Sequence, residues 1–294
     1  MNSARNILAT GGVRGALGVV AALALTFASV GPVVAAHAHV PSELDTRHDV
    51  PAVIGQSASL YLSIETTASG AAVEGDGLGL SAGNVAVIIT GDVAVTTVAD
   101  DGSYTSRVTI SSLEVVAAPV AADRNGLVLD NLVGVGVDEW FDSAGVLVAV
   151  ELVDDYELTE PQRRGARTFL AALAAVNVAG PGHTDYVGAA WTSPGRAGLG
   201  TMAVDVTYQC RLTSIDETSY GVELSWAQSI TTEAAAGTFT GTTSGSGAFV
   251  RSLHNPLVVD ATMYETIDGM LTGPDGDPAP IRTDRVIRLL TAEQ

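Results

Sequence analysis

Histidines, serines and paired carboxylates are where chemistry would have to begin in this chain, and their spacing builds little of it. The five histidines are His37, His39, His48, His183 and His254, and none has companion ligands at the intervals of a zinc site. His39 becomes the terminal residue if a leader is removed after Ala38, and an N-terminal His chelates copper through its amine and ring. Without further ligands, a solvated segment carrying no metal is the expectation. Ser244-Gly245-Ser246-Gly247 lacks the leading Gly and the strand-to-helix setting of a nucleophile elbow. The acids Asp138-Glu139, Asp154-Asp155 and Asp275/Asp277 would suit glycoside chemistry only if two carboxyls faced each other across a cleft. They are expected to be solvated, and Asp275-Gly276-Asp277 has no closing Glu for a calcium loop. Cys210, the only cysteine, falls on the apolar side of a strand pattern, where a thiol is an inert small hydrophobe. No catalytic residue, metal or cofactor is assigned, and a non-enzymatic protein is expected. A hydrolase would need a pocket that gathers a Ser or an acid pair.

Apolar residues offer more. Thr159 and Gln162 form a capping-box pattern, and Pro161 suits a first helical turn. Ala166, Phe169, Leu170 and Leu173 then recur at helical spacing, and the helix should fade near Asn177, before Gly180 and Pro181. Met202, Val204, Val206, Tyr208, Cys210 and Leu212 alternate with polar residues, as do Tyr220, Val222, Leu224, Trp226 and Ile230, the signature of half-buried antiparallel strands. This is more apolar strand surface than one helix can cover. A cleft lined by Phe169, Leu170, Leu173, Val206, Tyr208, Leu224 and Trp226 follows, suited to a hydrophobic or lipid-like molecule. Arg163, Arg164 and Arg167 crowd the positive end of the helix dipole. They either pair with Asp154, Asp155 or Glu157 or receive an anionic headgroup.

Strands should position those groups. Leu60, Leu62 and Ile64 alternate, Ser69 to Gly83 reads as a Gly-rich loop, and Val85 to Val98 is strand with a bend at Gly91-Asp92. Asp100-Asp101-Gly102-Ser103 is a hairpin turn. Ala117 to Asn131 is irregular, with a short strand at Leu127 to Val133. Val146 to Leu152 is an almost continuous apolar run, as in a strand covered on both faces. Leu257 to Leu271 and Ile281 to Leu290 are the last strands, while Thr238 to Ser246 is a Thr/Gly/Ser stretch given no strand. Val95 to Ile110 and Leu212 to Trp226 form a pseudo-repeat of hairpins. The expected fold class is α+β: a large curved antiparallel sheet of meander topology, a half-barrel, packed on one main helix.

The 294 residues are 47% hydrophobic but only 5% aromatic, and every one of the 14 basic residues is Arg. A net charge of -19 repels polyanions, so nucleic acid is excluded as a partner. Arg5 and Arg14, the apolar run from Gly15 to Val30 and the small-x-small Ala36-His37-Ala38 predict a secretory signal over residues 1–38. The competing reading is a retained anchor, because Gly15 to Ala36 carries no charge and approaches the ~20 residues of a bilayer span. Residues 39–52 are expected to be a flexible leader. Residues 53–294 then form a single β-rich domain, with halves 53–138 and 186–294 around a strand-helix hub at 139–185. Secretion or residence in the cell envelope follows, with no permanent tether if the signal is cleaved.

Gly91-Asp92-Val93 through Tyr104-Thr105-Ser106, the hub residues Trp140, Phe141 and Gly145, Val187-Gly188-Ala189-Ala190-Trp191, and Tyr208 through Leu212-Thr213-Ser214-Ile215-Asp216 carry a resemblance across most of the mature chain. Together they resemble a domain-of-unknown-function family of exported actinobacterial proteins. That family is similar to mycobacterial envelope lipoproteins and periplasmic lipoprotein carriers, and the resemblance implies an open half-barrel that grips acyl chains against a helix. Many of those relatives carry a lipidated Cys after the signal, and this chain has none there. The alternative to a carrier is an envelope structural or interaction protein whose concave face is filled by its own side chains.

Overall fold

The computed structural model describes residues 52–70, 83–117, 132–143, 145–153, 158–178, 180, 186–197, 204–234, 237–273 and 276–293. Contacts divide the chain into Met1–Leu44 and Asp45–Gln294, and all described residues lie in the second unit. The signal and nearly all of the leader therefore fall outside the described residues.

Alternation dictates the strands. They are β1 (Ser57–Gly70), β2 (Gly83–Val98), β3 (Tyr104–Ala117), β4 (Gly136–Phe141), β5 (Leu147–Leu152), β6 (Ala190–Ala197), β7 (Val204–Ile215), β8 (Ser219–Ala234), β9 (Gly237–Ser252), β10 (Val259–Thr272) and β11 (Pro278–Glu293). A single described helix, α1 (Glu160–Val176), stands between β5 and β6. Arg163 N–H donates to Thr159 C=O at 3.0 Å, so Thr159 occupies the capping position.

All strands join one open sheet in the order β5-β4-β3-β2-β1-β11-β10-β9-β8-β7-β6. Two meanders therefore lie side by side. The first and last strands meet in the middle, where Leu62 pairs with Leu289 and Ile64 with Ile287. On β7, Val206, Tyr208, Cys210 and Leu212 are buried while the residues between them are exposed. One face of the sheet thus carries the core, and α1 lies on that face against β6, β5, β10 and β11. The main apolar cluster includes Phe169 and Leu173 of α1, and a smaller cluster joins Ile230, Phe239, Ile267, Leu271 and Ile281.

Several expectations are corrected. The run from Val146 to Leu152 is an edge strand, not one covered twice, and Val148 is 67% exposed. A continuous apolar run names no face, and only pairing shows that β5 has a single neighbour, β4. At Gly91-Asp92, where a bend within the strand was expected, β2 continues and its register with β3 shifts. A side chain at Gly91 would stand 2.3 Å from the Thr109 carbonyl, so glycine permits this close approach. The Thr/Gly/Ser stretch is the strand β9, paired along its length with β8 and β10. The hairpin turn appears as expected, with Gly102 at φ 87° and its N–H on Ala99 C=O at 3.0 Å. Of Leu127 to Val133, only Leu132 and Val133 are described, in a turn.

Candidate functional site

The helix turns Ala166, Phe169, Ala172, Leu173 and Val176 onto the sheet at three- and four-residue spacing. From β7 and β8 the inward positions Val206, Tyr208, Leu224 and Trp226 meet them. Six of the seven residues assigned to an apolar cleft are buried in the main cluster, and Leu170, half-buried, packs against it. Tyr208 and Trp226 make an edge contact with centroids 5.1 Å apart. The Tyr208 hydroxyl donates to Arg196 C=O at 3.0 Å and lies 3.4 Å from Ala175 C=O, tying β7 to β6 and to the helix. A side chain at Gly195 would stand 2.0 Å from the Tyr208 ring, which lies across that glycine. Burial drives the Tyr208 pKa well above its ordinary value. The Cys210 thiol is likewise pushed up to about 12 by burial.

Of the Arg cluster, Arg163 is half-buried, while the side chains of Arg164 and Arg167, with Asp154, Asp155 and Glu157, lie outside the described residues. His37, His39, His48 and His183 are outside as well, and His254 is exposed in the β9–β10 turn. Among the described residues no group of three His, Cys, Asp or Glu could hold a metal ion. Ser244-Gly245-Ser246-Gly247 is extended backbone within β9.

Sequence reasoning missed the buried charges. Asp138 and Glu139, expected to be solvated together, part company. Asp138 takes a two-pronged bond from Arg107 at 2.7 and 2.8 Å near the surface. Glu139 is 4% exposed on the inner face. Its carboxylate accepts from Ser106 Oγ at 2.9 Å and from Asn177 Nδ2 at 3.1 Å. Arg251 Nη2 donates to Asn177 Oδ1 at 3.4 Å, and the guanidinium carbon of Arg251 lies 5.7 Å from the centre of the Phe249 ring. Burial raises the Glu139 pKa from 4.5 to about 7, against the opposing pull of Ser106, Arg251 and Asn177. Beside it, Tyr104 stacks on Phe141 at 4.6 Å, and burial pushes the phenol up to about 12. The group ties β3, β4 and β9 to the residue that follows the helix. Its parts are enclosed, Ser106 at 0% exposure, which suits a fastening more than a reaction centre.

A second buried set lies on β8 to β11. Glu265 and Arg285 face each other across the β10–β11 register and form an ion pair. Thr243 Oγ1 lies 3.5 Å from Glu265 Oε1, and Trp226 Nε1 donates to Thr243 Oγ1 at 3.3 Å. One signal for these groups was present in the sequence. Glu139 falls in the inward parity of Val137 and Phe141, Glu265 in that of Met263 and Ile267, and Arg285 in that of Ile287 and Leu289.

No family model matches the sequence, and no curated protein does. Among solved structures the chain is similar to one titled "Lipid-protein interactions in lipovitellin", at 7% identity and a TM-score of 0.45. The match covers 82% of this chain and 26% of that one.

Proposed function

We propose that this chain is a non-enzymatic, exported or cell-envelope protein that holds a lipid-like molecule between its sheet and its helix, as an open half-barrel. Distance supports the half-barrel. Laid flat, eleven strands about 4.8 Å apart would separate β5 from β6 by roughly 48 Å. A helix of 17 residues is about 26 Å long and about 10–12 Å across, yet α1 contacts both edges. Asn177 likewise bonds to Glu139 on β4 and to Arg251 on β9, strands that would lie roughly 29 Å apart in a flat sheet. Curvature around the helix accounts for both.

The carrying observation is that one helix bridges the two free edges of an open sheet whose inner face is largely apolar. Lifting that element would open Phe169, Leu170 and Leu173 on one wall and Val206, Tyr208, Leu224 and Trp226 on the other. These walls hold acyl chains by burial alone, at ~25 cal/mol per Å² removed from water. Native mass spectrometry of the protein purified from its own host tests this. A bound mass that organic extraction removes and added lipid restores is expected; a single bare mass, unmoved by added lipid, overturns the reading.

The close burial of Phe169, Leu173, Tyr208, Leu224 and Trp226, none above 6% exposed, favours a second reading. Here the interior is filled by the chain itself and the protein serves the envelope as a structural or interaction module. That reading predicts no ligand exchange.

A further inference from the structure

Between the two apolar clusters of the inner face runs a polar belt. Trp226, Thr243 and Glu265 are linked in series across β8, β9 and β10, and Arg285 Nη2 on β11 donates to Glu265. The remaining donors of that end are unused. Arg285 Nε and Nη1 and Thr283 Oγ1 are buried and have no hydrogen-bond partner among the described residues. The Arg285 side chain is 1% exposed. Thr283 lies two residues along the same inward stripe, so its hydroxyl opens onto the same region. The belt lies on the buried face of β10 and β11, the two central strands that α1 packs against.

Surroundings define what could satisfy these donors. One inward step along the strands lie Met263 and Ile287 of the main cluster, and on the other side lie Ile267 and Ile281 of the smaller one. The complement is apolar, then acceptor, then apolar. Charge narrows it further. Glu265 already matches Arg285, so a second buried carboxylate would leave an uncompensated negative charge. A carbonyl oxygen supplies lone pairs and no charge.

We propose that this belt is the polar subsite of the interior, built for an uncharged apolar molecule with an internal acceptor oxygen: an ester or ketone flanked by hydrocarbon on both sides. The carbonyl accepts from Arg285 and from the Thr283 hydroxyl, and the two arms lie along Met263 and Ile287 and along Ile267 and Ile281. This inference rests on the carrier reading above. It is tested on the full mature chain, stripped of lipid, by competition among a long-chain wax ester, an alkane and a fatty acid of matched length presented in mixed micelles. Retention is read by native mass spectrometry. The ester is expected to be retained about tenfold over the alkane, equivalent to about 1.4 kcal/mol, and over the fatty acid. Thr283→Val keeps the shape and removes one hydroxyl; it should fold normally and lower the ester preference several-fold, with Thr283→Ser restoring it. Removing both charges together, Arg285→Met with Glu265→Leu, should abolish the preference; if that pair does not fold, Thr283→Val decides. Equal retention of ester and alkane overturns the polar subsite and leaves the carrier standing. A fatty acid retained above the ester overturns the uncharged ligand. If none of the three is retained, the carrier reading falls with it.

Discussion

Replacing Glu139 with Gln removes a titratable carboxyl from the inner face while leaving a side chain of the same shape against Ser106, Asn177 and Arg251. Burial carries this carboxyl from 4.5 to about 7. Between those values the unfolded chain has released the proton and the folded chain still holds it. Stability contributed by this group therefore falls as pH rises through that window and is level on either side. At about 1.4 kcal/mol for each factor of ten, the loss amounts to about 3 kcal/mol. The carboxylates of Asp101, Asp216 and Asp284 act in the opposite sense. Their pKa values are lowered from 3.8 by hydrogen bonds from Ser103, Thr218 and Arg282. What they contribute is lost as pH falls below that value, outside the Glu139 window. Urea unfolding followed by tryptophan fluorescence, at about pH 5 and about pH 8, reads the difference directly. The natural chain should lose about 2.5 kcal/mol more than Glu139→Gln between the two conditions, since pH 5 already lies just inside the window. Near pH 5 the two should agree within about 1 kcal/mol, the cost of turning one amide donor toward Ser106 or Asn177. Parallel pH profiles for the two chains would refute a buried, proton-holding Glu139.

Other outcomes follow from the same packing. Gly245→Ala places a Cβ 2.3 Å from the Trp226 ring and from the Tyr264 carbonyl; a loss of about 2–3 kcal/mol and altered tryptophan emission are expected, checked by urea titration. Tyr208→Phe removes the hydroxyl that reaches β6 and the helix and should cost about 1–2 kcal/mol, with hydrogen exchange rising first in α1. Cys210, buried with its thiol near 12, should resist a thiol reagent in the folded protein and react stoichiometrically in urea; native-state labelling at the free-thiol rate would contradict its place on β7.

Reading the chain as strings of alternating residues located most strands because period-two patterning is a local property. Leu60 to Ile64 and Val206 to Leu212 point the way they were expected to. The helix from Thr159 to Asn177 was equally legible, since its cap and apolar stripe are written within one short stretch. β9 was missed because its inward positions are partly glycine, Gly241, Gly245 and Gly247, and carry no hydrophobic signal. Those glycines are small because neighbours occupy their space. Phe239 lies at Gly241, Trp226 at Gly245 and Met263 at Gly247.

Parity along most strands, the limits of the helix and the inward direction of Phe169, Leu173, Val206, Tyr208, Leu224 and Trp226 were determined by the sequence alone, because each depends on neighbours within a few positions. The tertiary structure decided which strands lie at the edge, that β1 and β11 meet in the middle, and that Glu139, Arg251 and Asn177 come together. Those residues are far apart in the chain. Whether a Glu is solvated or holds its proton near neutrality depends on which face of which strand closes over it, and no local pattern carries that information.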